Sequence, residues 1–182
     1  MIYKIRVILN AEEDVIRDVA IDEKSTLEDL HNTITNAFGF TGNEMASFYR
    51  SDETWMQGEE YPLFDMSEGL DKKVQMDNMN LDQVLIHSGD KMIYVYDFLN
   101  MWSFYVELIA NDFEHNNIEL PALLFSLGLI PNNAPEIQFE SEDLGDDDLG
   151  NEDFEGEDLG YDDFDGDMFK EIDGDFEDLN LN

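Results

Sequence analysis

Apolar and polar side chains alternate along the first segment of the chain, Ile2–Leu9, so that one of its two faces is wholly apolar. This period of two predicts a β-strand that covers a core on one side. A second β-rich segment, Val15–Ile21, follows a short polar stretch, and the two segments together predict a hairpin. Further strands are predicted at Met45–Tyr49, near Lys72–Met76, and at Lys91–Phe98 and Trp102–Ala110, the last two as a hairpin of central strands.

The spacing of apolar residues changes to three and four after the first hairpin. It predicts a helix from Thr26 to Phe38 that ends before Gly39. Ser25 and Glu28 have the spacing of a capping box at the start of this helix. The residues of its apolar stripe are Leu27, Leu30, Ile34, Ala37 and Phe38.

Two shorter helices are predicted at Leu81–Ile86 and Ala122–Leu127, and Ser51–Met66 is expected to be a long excursion. The order strand, strand, helix, strand, hairpin predicts an α+β fold, with a β-grasp-like mixed or antiparallel sheet packed on one main helix. The globular domain is expected to span residues 1–136, where a Pro- and Asn-rich stretch gives way to acidic residues. Residues 137–182 are predicted to form an acidic, low-complexity and disordered tail.

This tail carries a single large apolar residue at every fifth position. These residues are Phe139, Leu144, Leu149, Phe154, Leu159, Phe164 and Phe169. Neither a helix nor a strand has a period of five, and a pentapeptide β-helix would have to bury the neighbouring carboxylates unpaired. The positions of Gly166 and Gly174 do not match an EF-hand, so only weak binding of divalent cations is expected. The pattern favours a solvated polyanion with evenly spaced apolar anchors.

The acidic charge of the chain narrows the classes of partner that it can bind. The 182 residues include 45 acidic and nine basic side chains, and residues 1–139 alone hold 25 acidic against eight basic ones. Such a surface repels nucleic-acid phosphates and anionic membranes and attracts basic proteins. The chain has no cysteine, no membrane-spanning apolar run and no signal-peptide pattern. We therefore expect a cytoplasmic protein without a cofactor.

Three residues of the predicted domain are candidates for a functional site: His31 on the main helix, and Asp97 and Trp102 in the second hairpin. A pocket formed by them would suit a small hydrolytic or ligand-binding enzyme, with Asp97 desolvated and its pKa shifted. We favour a structural interpretation, in which His31 is a packed, hydrogen-bonded histidine, Asp97 a turn residue and Trp102 a core side chain. The other histidines, His87 and His115, are not spaced for a zinc site.

Two stretches resemble the plasmid pRiA4b ORF-3-like family: the helix sequence Leu27–His31 continuing to Phe40, and Tyr94–Phe98 followed by Trp102. The resemblance covers about residues 1–135, and members are often labelled passengers of insertion elements. It implies no established biochemical activity. The Gly, Asp and His residues that usually follow the family's Tyr-Asp-Phe motif, and its His residues after the helix, are absent here, so no site is transferred. With only three arginines in an acidic chain, a recombinase is nearly excluded.

The sequence favours a non-enzymatic binding module. Its tail would dock on basic proteins by charge and by apolar anchors such as Phe154 and Phe164. Two alternatives stay open. One is the small enzyme with a pocket near His31, Asp97 and Trp102, and the other is a nucleic-acid mimic whose tail occupies the cleft of a DNA-binding protein.

Overall fold

The computed structural model describes residues 1–66, 72–114 and 118–135, so the predicted tail and His115 lie outside the described residues. This part of the chain contains two α-helices, α1 (Leu27–Phe38) and α2 (Leu81–Val84), and a 3-10 turn at Met76–Asn78. Its strands are β1 (Ile2–Leu9), β2 (Ile16–Asp22), β3 (Ala46–Ser51), β4 (Gln57–Pro62), β5 (Lys91–Tyr96), β6 (Trp102–Ala110) and β7 (Ala122–Leu127).

The seven strands form one antiparallel sheet in the order β4-β3-β5-β6-β1-β2-β7. The sheet dominates the fold, and the predicted α+β class is confirmed. The two hairpins anticipated from the sequence, β1–β2 and β5–β6, are both present, and β5 and β6 are central strands as predicted.

Helix α1 packs across one face of this sheet. The apolar face predicted for β1, from Tyr3 to Leu9, is buried, and so are Leu27, Leu30 and Ile34 of the helix. Burying a side chain of this size contributes about 1.5–3 kcal/mol relative to leaving it exposed. The two strongest apolar patterns in the sequence are therefore the two sides of one core.

The N-cap of α1 lies one residue later than predicted. Thr26 is the cap: its Oγ1 accepts the Asp29 N–H at 3.1 Å, and the Asp29 carboxylate accepts the Thr26 N–H at 2.8 Å. The capping box with Ser25 as its cap is therefore wrong by one residue. Ser25 has the same spacing to an acidic residue, Glu28, as Thr26 has to Asp29. In the structure the Leu27 N–H donates to the Met79 carbonyl at 2.8 Å, and this long-range contact accompanies the start of the helix at Leu27.

The expected excursion Ser51–Met66 contains a strand that the sequence analysis missed. β4 is an edge strand that pairs only with β3 within the described sheet, and its first residues are polar and exposed. They give no alternation of apolar residues that could predict a strand. The strand predicted near Lys72–Met76 is also wrong, because residues 72–75 have no regular structure and Met76 begins the 3-10 turn.

The helix predicted at Ala122–Leu127 is wrong as well, because this segment is strand β7 and pairs with β2. A short apolar run fits a strand or a buried helix equally well, and the pairing partner decides between them. Arg17 of β2 fixes the end of β7, since its guanidinium donates to the carbonyls of Leu127 at 2.7 Å and Gly128 at 3.3 Å.

Candidate functional site

His31 lies on the inner side of α1, where only 2% of its surface is exposed. Its Nδ1 is 2.7 Å from the hydroxyl oxygen of Tyr94 on the central strand β5. Burial lowers the pKa of His31, which favours the neutral imidazole, and burial raises the pKa of the Tyr94 phenol well above its ordinary value. The two side chains form a neutral hydrogen bond between helix and sheet, the packed arrangement that we favoured from the sequence.

Asp97 lies in the turn between β5 and β6, with a left-handed backbone conformation at φ 57°. Its carboxylate accepts the side-chain amide of Asn100 at 2.6 Å and the backbone N–H groups of Leu99 and Asn100 at 3.2 and 3.3 Å. These hydrogen bonds, that from the Asn100 side chain foremost, lower the pKa of Asp97. The carboxylate is thus held ionised by its turn, as the structural interpretation expects.

Trp102 is buried and belongs to an aromatic cluster below α1. Its ring centroid is 5.0 Å from that of Phe40, which in turn is 5.1 Å from Tyr96, and Tyr96 is 6.2 Å from the His31 ring. His31 and Trp102 therefore border one cluster. In the described ranges, no hydrogen bond of Asp97 reaches either of them, so the three candidates do not form an acid–base constellation.

A polar cluster on the opposite face of the sheet escaped the sequence analysis. The hydroxyls of Ser47 and Tyr49 on β3 donate to one carboxylate oxygen of Glu60 at 2.7 and 3.2 Å, and the Lys73 ammonium pairs with the other oxygen. Burial alone would raise the pKa of Glu60, but the hydrogen bonds from Lys73, Ser47 and Tyr49 lower it overall. Glu60 lies on a strand that was not predicted, so no sequence signal could have found the cluster. Ser47 is fully buried and engaged here, and the cluster holds β4 to β3.

A second charged cluster lies on the same face, around Asp18 of β2. Arg6 donates to this buried carboxylate at 2.8 and 3.0 Å, and the Lys4 ammonium is 3.2 Å from it. Burial acts to raise the pKa of Asp18, but the hydrogen bonds from Arg6 and Lys4 outweigh it and lower the pKa. In register, Arg6 also faces Glu107 on β6, and Glu107 faces Lys91 on β5. Carboxylates and cations thus alternate across four strands, which leaves no basic patch along this row.

A cleft of about 870 Å³ opens beside the turn between β1 and β2. Its walls come from that turn, from β6 and from the segment after β7, and its lining residues are Asn10, Ala11, Glu12, Glu13, Val15, Tyr105, Leu129, Ile130, Pro131 and Pro135. His31, Asp97 and Trp102 are not among them. Neither Glu12 nor Glu13 makes an ion pair with another described residue. The cleft is therefore lined both by these two carboxylates and by apolar side chains such as Leu129 and Ile130.

No group of three or more His, Asp or Glu side chains among the described residues could hold a metal ion. No helix in residues 1–66, 72–114 or 118–135 is long and apolar enough to cross a membrane. Phe154, Phe164 and the acidic residues expected to bind divalent cations lie outside the described residues, and their roles stay predictions.

Comparison with known proteins gives a family and a fold. A family model described as Plasmid pRiA4b ORF-3-like protein matches residues 1–133. The chain is similar to a crystal structure of a protein of unknown function from Methanosarcina mazei Go1, with 20% sequence identity and a TM-score of 0.54 over 69% of this chain and 68% of that chain. At this identity the likeness shows the fold alone. A search of the curated proteins finds no match.

Proposed function

The chain belongs to the plasmid pRiA4b ORF-3-like family, and we propose that it is a non-enzymatic interaction module whose residues 137–182 bind basic proteins. The observation that carries this proposal is charge. Residues 140–182 hold 20 acidic side chains and one basic one, Lys170. A polyanion of this density attracts positively charged surfaces over the screening length of the solution and repels phosphates.

The state of the candidate residues supports a binding role over an enzymatic one. An enzyme keeps an acid, base or nucleophile available to its substrate. His31, Asp97 and Ser47 each use their polar atoms in bonds that hold the fold together, and no buried side-chain nitrogen or oxygen in the described part of the chain lacks a partner. The alternative of a hydrolytic pocket near His31, Asp97 and Trp102 has less support.

The apolar residues of the same segment supply the short-range part of the interaction. Charge brings a basic protein close, and side chains such as Phe154 and Phe164 then insert between its side chains. Proteins that bind DNA or RNA expose the largest basic surfaces. The acidic charge therefore supports, as a second candidate, a nucleic-acid mimic that binds such a protein.

We also propose a location for the protein, an association with mobile elements and a relationship to a known fold. A cytoplasmic location is supported by a chain without cysteine, and an association with mobile elements by the plasmid in the family's description. A β-grasp-like relationship is supported by the order in which a hairpin, β1–β2, is followed by α1 and the rest of the sheet.

Capture of defined basic probes tests the proposal with the full-length chain. At about 10 mM salt, where the Debye length is about 30 Å, immobilised protein is expected to capture both poly-L-lysine and cytochrome c, and at about 1 M salt to release them. A variant with the acidic residues of 140–178 replaced by Asn and Gln should capture neither probe.

The matched variant Phe154→Ser with Phe164→Ser keeps every charge, so it should retain poly-L-lysine and lose affinity for the folded protein. Undiminished capture by the neutralised chain would refute the proposal.

A further inference from the structure

Strand β7 is the outermost strand at one edge of the described sheet. In the described part of the chain it pairs with β2 on one side, and no strand pairs with its other side. Leu123, Phe125 and Leu127 are 51%, 46% and 45% exposed, so alternate side chains present apolar surface along this edge. An exposed strand with free N–H and C=O groups and apolar side chains is a template for pairing with a further strand.

The two edges of the sheet differ in charge. The outer strand at the opposite edge, β4, carries Glu59, Glu60 and Pro62, which are residues that protect an edge from pairing. By contrast, residues 120–135, which include β7, contain no charged side chain, although 30% of the whole chain is charged. The β7 edge is therefore apolar and lacks the charged side chains that protect the other edge.

We infer that β7 is the surface through which two copies of this chain associate, by antiparallel pairing of their free edges. Charge selects this occupant. A basic partner gains nothing from a neutral strand and is drawn to the acidic residues elsewhere, whereas two copies that each carry a net charge of −36 can approach closely only where both are neutral.

Within the span of β7, the register of such a pair brings no two acidic residues together. A two-fold axis at Phe125 places Phe125 opposite Phe125 of the second copy, and Leu123 opposite Leu127. In the same register Glu119, the nearest acidic residue before β7, lies opposite the uncharged Pro131. The pairing extends a sheet in which every described neighbour is already antiparallel, and it covers the exposed apolar side chains from both copies.

The dependence on salt separates this association from binding to basic proteins. Salt screens the repulsion between two −36 chains, so the dimer strengthens as salt rises, while capture of basic probes weakens. Sedimentation of the full-length chain at about 100 µM should give the monomer mass of 21.0 kDa at about 10 mM salt and about twice that mass at about 1 M. A monomer at both salt concentrations would overturn the inference, and it would leave the proposed function untouched.

Two substitutions locate the contact. Phe125→Lys places a charge in the centre of the edge and is expected to weaken dimerisation at least about tenfold. Leu99→Lys makes the same change at a residue that is 93% exposed in the turn between β5 and β6, and should have no effect. Circular dichroism confirms that both variants fold. A dimer that is weakened equally by both, or by neither, contradicts the assignment to β7.

A chain without cysteine allows a direct test of the two-fold axis. Phe125→Cys introduces the sole thiol, and mild oxidation at high salt should then yield a disulfide-linked dimer, because paired residues bring their Cβ atoms within about 4.5–5.5 Å. Leu99→Cys is the matched control and should remain monomeric under the same oxidant. Equal cross-linking at the two positions would show random collision and overturn the inference.

Discussion

His31 and Tyr94 are 63 residues apart in sequence, yet Nδ1 of the imidazole lies 2.7 Å from the phenol oxygen in the interior of the protein. Their rings meet edge to face, with centroids 5.8 Å apart. This contact joins the main helix to a central strand, so it is expected to contribute to stability. The histidine is the residue that most invites a catalytic interpretation, and in the structure its Nδ1 and its ring are both in contact with Tyr94.

A double-mutant cycle measures the strength of this contact. His31→Leu leaves the buried Tyr94 hydroxyl without its partner, and Tyr94→Phe does the same to Nδ1 of His31, so each should lower the free energy of unfolding by about 1–3 kcal/mol. In the double variant neither polar atom is left alone, and it should lose less than the sum of the two single losses. Urea unfolding of the four proteins provides the comparison. Strict additivity would show that the two side chains do not interact.

The same pair gives the protein a dependence on pH. Burial lowers the pKa of His31 below its ordinary value of 6.5, so the unfolded chain binds a proton more readily than the folded one. The contribution of neutral His31 to stability is present above about pH 6.5 and is lost as the pH falls below it.

Stability measured between about pH 8 and about pH 5 should therefore decline more for the natural chain than for the double variant His31→Leu with Tyr94→Phe. The double variant is the control because it keeps all 45 acidic side chains of the natural chain. An equal decline in both proteins would mean that folding leaves the pKa of His31 unchanged.

The N-cap of α1 can be assigned by substitution. Thr26→Ala removes the oxygen that accepts the Asp29 N–H, and it should lower the free energy of unfolding by about 1 kcal/mol. Ser25→Ala at the neighbouring position is the control and should change it by less than about 0.5 kcal/mol. If Ser25→Ala were the more damaging change, the capping box would have the frame that the sequence first indicated.

The sequence predicted correctly those elements whose apolar pattern is long and regular. The alternation in β1 and the helical stripe of α1 each repeat over many residues, and both elements form because their apolar faces cover the same core. The one-residue error at Ser25 arose because the capping-box spacing fits both Ser25 with Glu28 and Thr26 with Asp29. The box at Thr26 is the one that forms, and it is accompanied by contacts with Met79 and Asn80, more than 50 residues away in sequence.

The two edge strands could not be predicted because their partners, not their own residues, define them. β4 is too polar to show a core-facing alternation, and β7 is too uniformly apolar to distinguish strand from helix. The cluster around Glu60 follows from the same cause, since it exists only once β4 lies beside β3. For His31, Asp97 and Trp102, the structural roles favoured from residue type agree with the contacts, because turns and buried aromatic residues follow local rules.

Gly128 ends β7 where the chain passes very close to the turn before β2. A Cβ at this position would lie 2.1 Å from the carbonyl oxygen of Asp14, and the residue has a left-handed φ of 76°. Gly39 provides a matched comparison at the end of α1, because its φ is 75° and nothing lies within 4 Å of the position of its Cβ.

Gly39→Ala should therefore measure the cost of the left-handed conformation alone, about 1–2 kcal/mol in the free energy of unfolding. Gly128→Ala adds a collision with the backbone of Asp14, which no side-chain rotation can relieve, so its cost should exceed that of Gly39→Ala by at least about 1 kcal/mol. Urea unfolding of both variants supplies the two values. Equal costs would mean that β7 can shift away from the turn before β2 without loss, and that the carbonyls held by Arg17 do not fix its position.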